Sequence, residues 1–411
     1  MNKGDTVLQA RRDPGFLADS IAGSVVLAHD PSARETSVVY WERARDAHQK
    51  VLDALAKLPE PHIVRLHDRL VDDPSQVAAY RSLVVALAEW LRRNANQASR
   101  LAEIAWHADS VSRLRVHVGC QFPADVRPVG TEELRHIGLV RRASRQCPPD
   151  AAVIIPFRER DPNGHRARNL LACLHALNRQ SYPRDRFRVV VIESDRRPRW
   201  CEFAGPLADT YLFAANPGPF NKSWVVNVGV VHAARAAELI CILDGDIVVD
   251  ESFIERNVER FERPGTQGLW PAREVLFLDP PSTGIAIRRR CLEDAPDVNT
   301  ELLRGVFLRH PPGGCIWLRQ ELFRRVAGMD ERFEGWGGED RDFAFRIDQQ
   351  GGLDRCDDTL VHLAHPRAPA RPAGGQAFWA GFRWASWPPD SEIGRLDKYA
   401  RLANGRPRSC S

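Results

Sequence analysis

Two kinds of hydrophobic pattern divide the chain. Over residues 37–58, 74–93 and 95–108 apolar side chains recur at three- and four-residue spacing, as in Leu83, Val84, Leu87, Trp90 and Leu91, with charges between them. That period predicts amphipathic helices. Pro123, Pro128, Pro148 and Pro149 then interrupt the pattern and mark a connector. Beyond it short apolar runs alternate with helical stretches. The spacing predicts strands over 151–156, 188–192 and 211–214, helices over 167–179 and 223–234, and a strand through the run 239–249. Further on it predicts a short strand entered from Gly313-Gly314, helices over 320–326 and 343–349, and a strand over 359–361. This β-α-β rhythm implies an α/β fold with a mostly parallel sheet, whose ligand crevice lies at the carboxyl ends of the strands.

The expected organisation is a helical accessory domain at 1–128, a connector at 129–150, an α/β domain at 151–375 and an aromatic-rich C-terminal segment at 376–411 that packs on it. A chain of 411 residues exceeds what one hydrophobic core usually supports. Trp41, Trp90, Trp106 and His107 sit at helical spacing and read as core. The N-terminal region carries no catalytic constellation and suits docking, homodimerisation or acceptor recognition.

The strand ends carry the candidate chemistry. The run Leu239-Ile240-Cys241-Ile242-Leu243 reads as a strand buried on both faces, and it ends at Asp244-Gly245-Asp246. If the strand continues, Asp244 and Asp246 point the same way, a seat for a metal carrying phosphates. The first strand ends in Pro156-Phe157-Arg158-Glu159-Arg160 and the second in Glu193-Ser194-Asp195. Arginines suit phosphate, and an acidic residue suits a ribose or base. No G-x-G-x-x-G or phosphate-loop lysine motif follows the first strand, which counts against a dinucleotide fold and a P-loop. Downstream, Gly335-Trp336-Gly337-Gly338-Glu339-Asp340 places two adjacent carboxylates after a glycine hinge, and His362 and His365 end the last strand as candidate metal ligands.

Composition changes this picture little. The net charge is +4, with 54 acidic residues interleaved among 58 basic ones, so no basic block marks a nucleic-acid surface. Only Lys3, Lys50, Lys57, Lys222 and Lys398 are lysines, an arginine bias expected of a GC-rich bacterial genome. Nine scattered cysteines show no zinc spacing, and several, such as Cys173 and Cys241, sit inside apolar runs and read as buried small hydrophobes in a reducing cytosol. No signal core and no stretch of ~18 apolar residues is present, which predicts a cytoplasmic protein with no membrane span.

Taken in order, Ile154-Ile155-Pro156-Phe157-Arg158-Glu159-Arg160, Phe220-Asn221-Lys222 with Asn227-Val228-Gly229, Leu243-Asp244-Gly245-Asp246, Gly313-Gly314 and Gly335–Asp340 resemble the β-1,4-galactosyltransferase group of inverting GT-A glycosyltransferases and their bacterial family 2 relatives. The resemblance covers roughly residues 150–370 and implies a Rossmann-like mixed sheet flanked by helices. It implies nucleotide-sugar contacts at Pro156, Phe157, Arg158, Arg160, Glu193, Phe220, Lys222, Asp244, Gly314 and Trp336. It also implies a Mn2+ or Mg2+ site at Asp246, His365 and His362, with Asp244 reaching the ion through water or holding the ribose. Trp336, Glu339 and Asp340 would face the acceptor, Asp340 as general base and Trp336 as a moving lid. The implied reaction moves glucose or galactose from a UDP-sugar to a small-molecule or saccharide hydroxyl, as in natural-product steps such as aminocyclitol antibiotic assembly or in polysaccharide synthesis.

Pro311-Pro312 stand where the family carries an aromatic that selects the donor sugar, and Arg341 stands where relatives carry a third acid, so donor sugar and acceptor stay open. Two other classes share these features in part. A nucleotidyltransferase also sets carboxylates and metal at strand ends, and a non-catalytic sugar-nucleotide or glycan-binding module would keep the pocket without the chemistry.

Overall fold

The computed structural model describes residues 13–138, 148–335, 337–367, 383–388 and 390–400. The chain forms two compact units, one of Met1–Asp125, Glu274–Ser282 and Thr300–His310, the other of Val126–Arg273, Thr283–Asn299 and Pro311–Ser411. Among the described residues no helix is long and apolar enough to cross a membrane.

The first unit is mainly helical. Its central helix, Pro14–His29, is started by Pro14 and by the Asp13 carboxylate accepting from Gly15 N. Leu17, Ala18, Ile21, Ala22, Val25, Val26 and Leu27 are all buried, so neighbours cover the helix on every side. The sequence reading missed it because a helix apolar all round has no 3.6-residue stripe to detect. Around it lie Val38–Leu55, Pro61–Asp72, Val77–Arg93 and Ala95–Val111. Trp90 is buried, and Trp41 and Trp106 pack on the same core, as expected of aromatics at helical spacing.

The unit also contains strands where only helices were expected. β1 (Leu114–Val118) pairs antiparallel with β8 (Arg304–Arg309), and β8 pairs with residues 274–278 of β7 (Gly268–Leu278). Buried Arg304 binds Asp30, Asp279 and the Pro74 carbonyl, so its cost of burial is offset by two carboxylates and a carbonyl.

The second unit is the α/β fold. β2 (Ala151–Phe157), β3 (Phe187–Glu193), β4 (Thr210–Phe213) and β5 (Leu239–Leu243) run parallel in the order β5-β2-β3-β4. β9 (Cys315–Arg319) lies antiparallel on the outer side of β5, and Gly268–Leu269 pairs with β9. Every residue of β2 and β5 is buried, which explains their uninterrupted apolar runs. The helices His165–Asn178 and Lys222–Ala233 follow β2 and β4. A Cβ on Gly229 would come within 2.5 Å of Ile192 Cδ1, so only glycine lets the second helix lie this close to the sheet.

The asparagines of the Phe220–Gly229 segment are clamps. Asn221 caps its helix through Trp224 N and donates to Glu331 O and Tyr399 Oη, while Asn227 donates to Met329 O and Glu331 Oε1. Glu331 in turn accepts from Gly394 N and Lys398 Nζ, which ties the C-terminal residues onto this helix. Of the aromatic C-terminal run, 378–382 lies outside the described residues. Trp387 donates to Ala327 O and Trp384 packs on Phe333, in keeping with a packing role for these two.

Two buried histidines make stability pH-dependent. His48 directs Nδ1 at Ser24 Oγ, whose own hydrogen goes to Ser20 O, so Nδ1 is the donor and buried Nε2 faces no partner. Burial lowers His48 to about 4, and burial likewise lowers His175, which donates Nε2–H to Leu134 O, to about 4. Unfolded histidine titrates near 6.5, so between about 6.5 and 4 the unfolded chain binds more protons and stability falls as pH falls. Urea unfolding at pH 7 and pH 4.5 should show His48→Leu losing about 2 kcal/mol less than the wild type over that interval.

Candidate functional site

Strand ends of the second unit open into one cleft of about 1120 Å3. The sequence-predicted residues Pro156, Phe157, Arg158, Arg160, Phe220, Lys222, Asp244, Asp246, Glu339, Asp340, His362 and His365 all line it. Glu193 does not. Its carboxylate is fully buried and accepts from Tyr211 Oη and the amides of Arg199 and Trp200, while Asp195, two residues on, reaches the cleft. Gly314 lines a small void that it shares with Asp340 and Lys222. Trp336 lies outside the described residues.

The two aspartates do not share a strand direction, contrary to the sequence expectation. β5 stops at Leu243, Asp244–Asp246 form a turn, and β6 (Ile247–Val248) then pairs antiparallel with β10 (Asp354–His362). Asp244 N donates to Gly314 O, and Ile247 N closes the turn on Asp244 O. The carboxylates therefore acquire separate partners. Lys222 Nζ lies 2.7 Å from Asp244 Oδ1, whereas Asp246 faces His362 and His365.

Asp246, His362 and His365 bring three ligand atoms within 4.8 Å of one another. β10 delivers His362 opposite Ile247, and Leu363 N anchors to Asp246 O, which brings His365 back over the turn. His365 Nδ1 lies 2.9 Å from Pro366 O. A carbonyl only accepts, so Nδ1 carries a hydrogen there and Nε2 is turned towards Asp246 Oδ2, 2.7 Å away. A ring nitrogen and a carboxylate oxygen this close can share a cation. Asp246 Oδ1 lies 3.2 Å from His362 Nε2 yet receives no hydrogen bond. Ligands at right angles on a small divalent ion, each ~2.1 Å from it, lie about 3 Å apart, the spacing seen here. Burial lowers His362 to about 3 and keeps it a free base. Burial opposes ionisation of Asp246, but the flanking rings and Arg166 hold it well below the usual carboxylate range. The donor set fits a divalent cation.

The other half of the cleft is built on the helix Glu339–Gly351, which begins four residues earlier than the sequence period indicated. Glu339 and Asp340 thus occupy its first turn. Lys222 Nζ bridges Asp244 and Asp340, lying 3.0 Å from Asp340 Oδ1. Burial disfavours its charge, but Asp244, Asp340 and Glu339 outweigh this and hold it well above the ordinary lysine range. Burial, partly opposed by Lys222, raises Asp244 to about 6. Burial and the neighbouring Asp340 raise Glu339 to about 8. A Cβ on Gly313 would sit 2.1 Å from Asp340 Oδ2, so the glycine turn exists to let this carboxylate lie against the backbone.

Not every predicted arginine is free for phosphate. Arg158 donates to the carbonyls of Ser194, Gly218 and Asn216, and stacks 5.2 Å from Phe220. It shapes the rim. The cations that reasoning on the sequence missed are Arg166, Arg196 and Arg367, all lining the cleft. Arg166 had a usable signal, since the first turn of the helix after β2 begins where the strand meets the crevice.

The stretch that builds this cleft, with its mixed sheet, broken Asp-Gly-Asp turn, His-His-Asp cluster and helix-borne acid pair, is similar to two glycosyltransferase families. Residues 152–327 match glycosyl transferase family 2, and residues 309–365 match a second family described as the N-terminal domain of galactosyltransferase. Among solved structures, the catalytic domain of Drosophila β1,4-galactosyltransferase 7 in complex with xylobiose is 19% identical, over 53% of this chain and 71% of that one, with a TM-score of 0.30. S. aureus TarS 1–349 is 13% identical over 52% and 60% of the two chains, with a TM-score of 0.36. GalNAc-T7 crystallised with UDP, GalNAc and Mn2+ is 14% identical over 53% and 44%, also at 0.36. No curated protein matches the sequence.

Direct titration with Mn2+ checks the metal cluster. Asp246→Asn and His365→Ala should each weaken ion binding by about a hundredfold or more, since each removes one of three ligands and leaves the others facing an uncompensated gap.

Proposed function

We propose that this chain is a metal-dependent, inverting hexosyltransferase that moves glucose or galactose from a UDP-sugar to a hydroxyl of a small molecule or saccharide, giving a β-glycoside. The observation that carries this reading is a cation-ready Asp246–His362–His365 cluster in the same cleft as Asp340, with Lys222 linking Asp340 to the Asp-Gly-Asp turn.

In this reading Asp246, His362 and His365 hold a Mn2+ or Mg2+ ion, and such an ion supplies Lewis-acid neutralisation of charge on the departing diphosphate. Asp244 holds the donor ribose or a water on the ion. Pro156, Phe157 and Phe220 form the wall for the uracil, with Arg158 fixing the rim and Arg160 beside it. Asp340 takes the proton of the acceptor hydroxyl, for which a carboxylate within ~3 Å is needed because a neutral hydroxyl is a poor nucleophile. Lys222 keeps that carboxylate in place. Attack from the face opposite the leaving group inverts the anomeric carbon once, so an α-linked donor yields a β-linkage. Glu339, raised to about 8, is protonated at neutral pH and can both donate to and accept from acceptor hydroxyls.

A donor screen tests the reading by product. UDP release with Mn2+ or Mg2+ together with a glycosylated acceptor is expected; pyrophosphate released from a nucleoside triphosphate would instead identify a nucleotidyltransferase. UDP-sugar binding without transfer across a broad acceptor panel would leave a binding module. Asp340→Asn should lower kcat by about a hundredfold or more with donor binding retained. Raising the pH through about 8 removes the Glu339 proton, so the acceptor KM should rise above that pH in the wild type and stay flat in Glu339→Gln.

A further inference from the structure

We infer that Arg166 is a positioning residue that couples the two ligands of the cleft: it holds Asp246 in the ion-free protein and passes to the donor's diphosphate when the ion binds. This rests on the function proposed above. Arg166 sits in the first turn of His165–Asn178 and lines the cleft. Its Nη1 lies 3.4 Å from Asp246 Oδ2, the oxygen that His365 Nε2 approaches to 2.7 Å. One carboxylate oxygen thus faces both a metal-ligating nitrogen and a guanidinium.

At 3.4 Å the contact is longer than the ~2.8 Å of a good charge-assisted hydrogen bond, and the side chain is 30% exposed, so Arg166 is loosely held. A divalent ion bound to Oδ2 would put two positive centres on one oxygen in a half-buried setting, where their repulsion is poorly screened. The ion therefore gains affinity when the guanidinium withdraws. A diphosphate in the same cleft offers it a destination, because guanidinium pairs with phosphate oxygens in a two-pronged geometry. Linkage makes the effect reciprocal, each ligand raising the affinity for the other by the same factor.

The test measures Mn2+ binding to the full chain by the electron paramagnetic resonance signal of free Mn2+, with and without UDP. The wild type should bind Mn2+ weakly alone and about tenfold or more tightly with UDP, within the usual range of such couplings. Arg166→Gln should bind Mn2+ more tightly than the wild type without UDP and show a smaller UDP enhancement. Arg166→Lys, which keeps the charge, should return both quantities towards wild type. Equal Mn2+ affinity and equal enhancement in wild type and Arg166→Gln would overturn the coupling while leaving the metal site standing. Mn2+ binding that is absent even with UDP, or unchanged in Asp246→Asn, would instead remove the metal-dependent reading and the coupling with it.

Discussion

Four carboxylates crowd one cleft, and the architecture of the second unit follows from keeping them there. Buried Asp246 and half-buried Asp244, Glu339 and Asp340 repel one another where water screens them poorly. Lys222 is the compensating charge for the first and last of these, and the histidine pair with Arg166 answers Asp246. For Glu339, burial and Asp340 outweigh the attraction of Lys222, and it holds its proton to about 8. The divided pairing gives the carboxylates different chemistry within a few ångströms: one set ready for a cation, one acid oriented for proton transfer, and one carboxyl kept neutral.

Much of this could be read from the sequence where a single strand or helix carries its own signal. The apolar runs at 151–156 and 239–243 announced strands, the second of them buried on both faces, and the chemistry at their carboxyl ends followed from the expected sheet topology. The ordered motifs grouped His362 and His365 with Asp246, and ligand atoms of these three residues lie within 4.8 Å of one another. Cys173 and Cys241 proved to be buried free thiols, as their apolar neighbours indicated.

What stayed hidden depended on partners distant in sequence. Helix Pro14–His29 is apolar on every side, so only its tertiary surroundings reveal it. β1 is a five-residue alternation of apolar and basic residues and β8 a short apolar run between two arginines, and each is paired by a segment far away in sequence. The Asp244–Asp246 turn was read as strand because Ile247-Val248-Val249 resumes the apolar run. The break is imposed by β10 claiming Ile247 and Val248 as a new antiparallel partner. Arg158 looked like a phosphate ligand by type, but three backbone carbonyls that no local pattern predicts occupy its donors.

The turn at Asp244–Asp246 also bears on how the protein acquires its site. Asp244 is fixed by Gly314 of the segment entering β9, and Asp246 by the strand that ends at His362. Both braces come from far later in the chain, so the loop-closure entropy of two long segments must be met before the cation cluster exists. A nascent chain that has completed only the parallel strands β2, β3 and β5 has the sheet but no competence to hold an ion. The candidate ligand cluster is therefore assembled late, when β9 and β10 have joined the sheet.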